Sequence, residues 1–136
     1  MIAMRLSNLI FVMTMVIIEA GPAIALDLNG FRAQHGRPAL SSSVMLVGIA
    51  SAHANDMAAR NHLDHNNFRQ RIGSIGTAHA ENVLWGCEDE DCAIRMWARS
   101  GGHRANMLRG DVSAYGLASA KAANGRHYWV LELGGQ

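Results

Sequence analysis

The chain has 136 residues, with 12 Lys or Arg against 11 Asp or Glu, so its net charge is +1 with the seven His neutral. That length suits one domain, and the even balance without a Lys/Arg run argues against nucleic acid as a partner. With 49% hydrophobic and 17% charged residues, a disordered chain is excluded.

The first 25 residues differ from the rest and read as a secretory signal. Arg5 makes the start positive, Leu9–Ile18 is almost wholly apolar, and Ala23-Ile24-Ala25 supplies an A-x-A cleavage site. The apolar run falls short of the roughly 20 residues that span a bilayer. An uncleaved anchor is the competing reading, weakened by Glu19. No Cys follows the cleavage site, which argues against a lipid anchor. The leader carries one basic and one acidic residue, so the charge survives its removal. The expected mature domain is 26–136, secreted or periplasmic, with no stable membrane span after cleavage.

Within it, Leu28 and Phe31 suggest a short helix that Gly36 ends. Ser41–Ser43 offer N-caps for a second helix over Val44–Arg60. Its Val47, Ala50, Ala54, Met57 and Ala58 form one apolar stripe. His53 lies inside that stripe and reads as a packed core histidine. Residues 61–67 are polar and loop-like, and Phe68–Gly73 forms a helical turn. Ala80–Trp85 is extended. Acidic Glu88–Asp91 favours the start of a helix carrying Ile94 and Trp97, and Gly101-Gly102 break that helix. Arg104–Leu108 makes a short turn. Two strands, Ala114–Lys121 and His127–Leu133, flank the turn signal Asn124-Gly125. In the second, His127, Trp129 and Leu131 share one face and Tyr128, Val130 and Glu132 the other. The three Trp, at 85, 97 and 129, read as packing residues. Arg95, Arg99, Arg104 and Arg109 read as a solvated face. The elements give an α+β fold with a small antiparallel sheet.

The two cysteines, Cys87 and Cys92, bracket that acidic run. In an exported protein the default is a disulfide, pinning a loop to the following helix. A metal site using both thiolates is the rival, at a spacing poor for zinc.

Several segments together carry a resemblance: L-N-x-F-R at 28–32, A-x-x-H-A-x-D-M-A at 50–58, His65, A-E-N-V at 80–83, M-W-x-x-S-x-G-H-R-A-N-M-L at 96–108, G-L-A at 116–118 and Y-W-V-L at 128–131. This ordered set resembles the CAP superfamily, which comprises cysteine-rich secretory, antigen 5 and pathogenesis-related class 1 proteins. It is most similar to the compact, SCP-like bacterial forms, over nearly the whole mature chain. The resemblance implies an α-β-α sandwich with a surface cavity lined by two His and two acidic residues. Carried over, the His pair is His65 and His103 and one carboxylate is Glu81. Where relatives often carry the second Glu, three residues after the helix Trp, this chain has Ser100.

Two imidazoles beside a carboxylate suit three roles. Neutral His65 and His103 are metal ligands for an ion such as zinc, weakly held because catalytic zinc usually has three protein ligands. Glu81 with His103 or His65 is an acid–base set for a peptidase-like hydrolase that lacks a nucleophile, since Ser100, the only nearby candidate, sits at a helix end and not in a strained elbow. Or the groups satisfy one another and the module acts through protein contacts. The leading expectation is a non-enzymatic binding module for a metal ion, a small or apolar ligand such as a lipid, or a cell-envelope component.

Overall fold

The computed structural model describes residues 23–73, 76 and 78–135. Most of the leader, residues 1–22, lies outside them. Asp27 opens α1 (Leu28–Gln34) by accepting from the Gly30 N–H, and Ser43 opens α2 (Val44–Arg60) by accepting from the Leu46 N–H. The short strand β1 (Ser41–Ser42) lies between them, and α3 (Phe68–Ile72) follows a loop. The remaining elements are β2 (His79–Trp85), α4 (Glu90–Ala98), α5 (Gly101–Met107), β3 (Ala114–Lys121) and β4 (His127–Gly134).

The strands form one sheet in the order β1-β3-β4-β2. The β3–β4 hairpin and the β2–β4 pair are antiparallel, whereas β1 runs parallel to β3. The sheet is therefore mixed, not purely antiparallel. The cause is the serine run: Ser41 and Ser43 each donate a backbone N–H to the β3 side before the chain turns into α2.

The alternation of β4 builds the three layers. Trp129, Leu131 and Leu133 join Leu28, Phe31, Ile94, Trp97 and Met107 in a core under α1, α4 and α5. Tyr128 and Val130 join Val83 and the α2 stripe of Ala50, Ala54, Met57 and Ala58 on the opposite face. Period-2 strands and a period-3.6 helix thus make an α-β-α sandwich. Gly116 is needed where α2 crosses β3, because a Cβ there would overlap the backbone of Leu46 and Val47.

Polar residues tie the layers. Asn29 accepts from the Leu40 N–H and donates to the Leu40 carbonyl. Arg32, 1% exposed, donates to the carbonyls of Pro38, Met107 and Arg109. It thereby satisfies carbonyls that the end of α5 leaves open. Cys87 and Cys92 are bridged, joining the loop after β2 to the first turn of α4.

Two local expectations are corrected. Gly101 and Gly102 begin α5 instead of serving only as a break, since Ser100 starts a new helix directly after α4. Trp85 is not a packing residue: it is 50% exposed, at the end of an edge strand, with the Arg126 guanidinium 4.0 Å above its ring.

Candidate functional site at the sheet edge

The site grows from the end of α2. Asn61 terminates that helix in the left-handed region, φ 50, which Asn tolerates better than most residues. Arg60 reaches forward and back, to Asp64 at 2.9 Å and to Asp56 at 2.6 Å. The buried His53 ring adds a second tether, its Nε2 2.9 Å from the Asp64 carbonyl oxygen. The loop is thereby held so that His65 faces β2. There its Nδ1 lies 2.7 Å from Glu81 Oε1.

Glu81 is buried, its side chain 2% exposed, while the His65 side chain is 54% exposed. The other Glu81 oxygen accepts from Arg71 of α3 at 2.6 Å. The same Arg71 nitrogen donates to Glu132 of β4 at 2.8 Å. Glu81 and Glu132 are directly paired across β2 and β4, so the sheet forces two carboxyls together on its α2 face. Like charges so placed cannot both ionise cheaply. Burial, and then hydrogen bonding to Glu81, push Glu132 up to about 9. Burial also opposes the charge on Glu81, but hydrogen bonds from Glu132, Arg71 and His65 outweigh it and hold this carboxyl below its usual range. Arg71 loses solvation yet is held more firmly protonated by the two carboxyls. At neutral pH the arrangement is a neutral Glu132, an anionic Glu81 and a cationic Arg71. Glu132 Oε2 is buried and has no hydrogen-bond partner among the described residues.

His103 arrives from the opposite layer, on α5. Asn82, fully buried, donates to the His103 carbonyl at 2.9 Å and accepts from Asn106 at 2.9 Å. This explains why A-E-N and G-H-R-A-N occur together: Glu81 faces α2, and the neighbouring Asn82 faces α5. Trp97 Nε1–H donates to the Val83 carbonyl at 3.2 Å and Asn106 to the Glu81 carbonyl at 3.5 Å. Outward carbonyls of the edge strand are thus covered by side chains, which blunts the edge against further pairing. Burial, with the nearby His65 adding to it, keeps His103 below the usual imidazole range and so favours its neutral form. His103 and Ser100 line an apolar cavity of about 460 Å³, together with Leu63, Val83, Trp85 and Met96.

The structure therefore joins His65 to Glu81, and places His103 near His65 but not in hydrogen bond with Glu81. Arg71 and Glu132 escaped the sequence reading. The strand alternation did put Glu132 on the α2 face, but its partner became visible only through the register. Arg71 sits in a five-residue helix with no motif around it. Other histidines lie elsewhere: His35 Nδ1 is 2.8 Å from the Phe31 carbonyl, and His127 is 3.3 Å from Glu88. Arg95 and Arg109 are engaged by Asp91 and Asp111.

The profile of the cysteine-rich secretory protein family, CAP, matches residues 27–133. The chain belongs to the CAP family. No curated protein shows significant sequence similarity to it. Among solved structures, this CAP domain is similar to an outer surface protein of Borrelia burgdorferi, with TM-score 0.73 and 17% identity over 80% of this chain and 86% of that one. It is also similar to an extracellular protein containing a SCP domain from Bacillus anthracis, with TM-score 0.68 and 21% identity over 80% of this chain and 38% of that one. A cysteine-rich secretory protein from Staphylococcus aureus gives TM-score 0.66 and 20% identity over 80% and 36%. The CAP domain spans little more than a third of the last two chains. At these identities the likeness establishes the α-β-α sandwich and nothing finer.

Among the described residues, no group of three or more His, Cys, Asp or Glu side chains is arranged to hold a metal ion. Glu81 is spent on His65 and Arg71, leaving the outer nitrogen of His65 and the ring of His103. Among the described residues no helix is long and apolar enough to cross a membrane.

Proposed function

We propose that this CAP domain is exported, loses its leader after Ala25, and acts outside the cytoplasmic membrane as a binding module whose site is the His65/His103 edge. Its ligand is a divalent metal such as zinc, held modestly by the two imidazoles. The observation that carries this reading is the 2.7 Å contact between His65 Nδ1 and buried Glu81. A carboxylate that accepts from one imidazole nitrogen fixes the tautomer and leaves the other as a lone pair, as behind many metal-bound histidines. The lowered proton affinity of His103 works in the same direction. The apolar cavity beside His103 gives room for a small ligand next to the ion.

A peptidase-like role for Glu81 draws less support. A general base needs a free oxygen and a proton affinity near the working pH. Both oxygens of Glu81 are engaged, and its carboxyl is held low.

Calorimetric titration of the mature protein with zinc tests the proposal. One ion should bind more weakly than at a three-ligand catalytic site. His65→Ala and His103→Ala should each abolish binding, and Glu81→Gln should weaken it about 10- to 100-fold. Absence of binding, or binding that survives both histidine substitutions, overturns it.

A further inference from the structure

The acidic run Glu88–Asp91 has no part in the site above. Asp89 of this run caps α4, its Oδ1 accepting from the Cys92 N–H at 2.9 Å. The chain just after the leader lies against it. The Leu26 N–H donates to Asp91 Oδ1 at 2.6 Å, and the Leu28 N–H to Glu90 Oε1 at 3.2 Å. Asp91 takes Arg95 on its other oxygen at 2.9 Å. A cavity of about 330 Å³ surrounds the contact, lined by Ala25, Leu26, Asp27, Asp89, Glu90 and Asp91. The Leu26 side chain packs on the core under α1, α4 and α5, which fixes its nitrogen, whereas Ala23–Ala25 are exposed.

Asp91 alone accepts the Leu26 N–H, while Asp27, Asp89 and Glu90, which line the same cavity, serve the N–H groups of Gly30, Cys92 and Leu28. Burial, with the nearby Asp27 adding to it, raises the proton affinity of Glu90. The nitrogen bonded to Asp91 belongs to the residue that the A-x-A pattern would make the first of the mature chain.

We propose that hydrolysis after Ala25 converts the Leu26 nitrogen into an α-ammonium that Asp91 holds as an ion pair, latching the mature N-terminus onto the disulfide-anchored start of α4. The inference rests on the leader reading given above. Water adds to the Ala25 carbonyl carbon as its bond to nitrogen breaks. A carboxylate leaves on Ala25 with the leader, and Leu26 keeps the nitrogen as –NH₃⁺. The exposed Ala23–Ala25 segment suits access by an envelope protease. The acidic cluster also offsets the positive end of the α4 dipole, which would otherwise repel the ammonium. An ion pair replaces a hydrogen bond in which only Asp91 is charged, so the processed chain folds more stably than the chain still bearing its leader.

The test compares two chemical forms of residues 26–136, both beginning at Leu26. One has a free amine, left by removal of a fusion partner, and the other an acetylated amine, which restores the neutral N–H. The free-amine form should show a folding equilibrium constant about five-fold larger by urea unfolding at pH 6.5. In Asp91→Asn, which keeps an oxygen acceptor, the difference should vanish. As a second measurement, acylation of the Leu26 amine at neutral pH should be slower in the folded wild type than in folded Asp91→Asn. Equal stabilities, a difference that persists in Asp91→Asn, or equal acylation rates overturn the latch. Mass mapping of the N-terminus of protein recovered after export separates the two ideas. A start other than Leu26 overturns the cleavage reading and the latch with it. A start at Leu26 without the stability difference overturns the latch alone.

Discussion

Replacing Glu132 by glutamine should stabilise the domain, and the gain should grow with pH. The glutamine amide keeps an oxygen for Arg71 and sets an N–H in place of the carboxyl proton beside Glu81, so the shape is preserved. What changes is the proton. Glu132 is held up at about 9 in the folded domain against an ordinary 4.5. A carboxyl whose folded value is raised contributes stability that is fully present below the unfolded value and drains away as pH rises towards the folded one. Glutamine carries no such penalty. Each pH unit in this window is worth a little over 1 kcal/mol for one proton, so the gap between variant and wild type should widen by about 2–3 kcal/mol from pH 5 to pH 7. The Glu132 side chain is fully buried, so solvent screening takes little from this figure. Urea unfolding at pH 5, 6, 7 and 8, followed by tryptophan fluorescence, reads the gap directly. Titrations common to both proteins cancel in the difference. A gap that is the same at pH 5 and pH 7 would refute the protonated Glu132 and, with it, the charge assignment of the whole cluster.

Arg71→Met should destabilise the fold by about 3–5 kcal/mol at neutral pH, because it strands the buried Glu81 anion. The loss should be smaller at pH 5, where protonating Glu81 relieves it, and urea unfolding at both values checks this. Reducing the Cys87–Cys92 bridge, which closes a loop of sequence separation 5, should cost about 2 kcal/mol, read as a fall in Tm with reductant. Gly116→Ala should cost at least about 2 kcal/mol, since the added methyl has only the α2 backbone to displace. A thermal melt within a degree of wild type would contradict the close crossing of α2 and β3.

Much of this architecture is written in short-range pattern. The stripe of Ala50, Ala54, Met57 and Ala58 marks α2, and the alternation of Trp129 and Leu131 with Tyr128 and Val130 assigns the two faces of β4. The ordered motifs pointed to His65, Glu81 and His103 and to the family. The pairing of Cys87 with Cys92 followed from there being only two cysteines in a chain read as exported. These features are local or countable, so a linear reading reaches them.

Other features depend on distance in space. Glu81 and Glu132 are 51 positions apart and meet only because β2 and β4 pair in one particular register. A shift of one residue would send both carboxyls to different neighbours. Arg71 comes from a helix too short to carry a pattern, yet one of its nitrogens bridges both carboxyls. The 1% exposure of Arg32 and the 50% exposure of Trp85 reverse what residue type alone suggests, because packing put carbonyls around the first and solvent around the second. The sequence alone determined the fold class and the family and pointed to three candidate site residues, because periodicity and motif order are properties of the chain. Only the tertiary structure decided which groups are protonated, what orients His65 and where the Leu26 nitrogen lies. Burial and the distance between charges exist only once the sheet has paired.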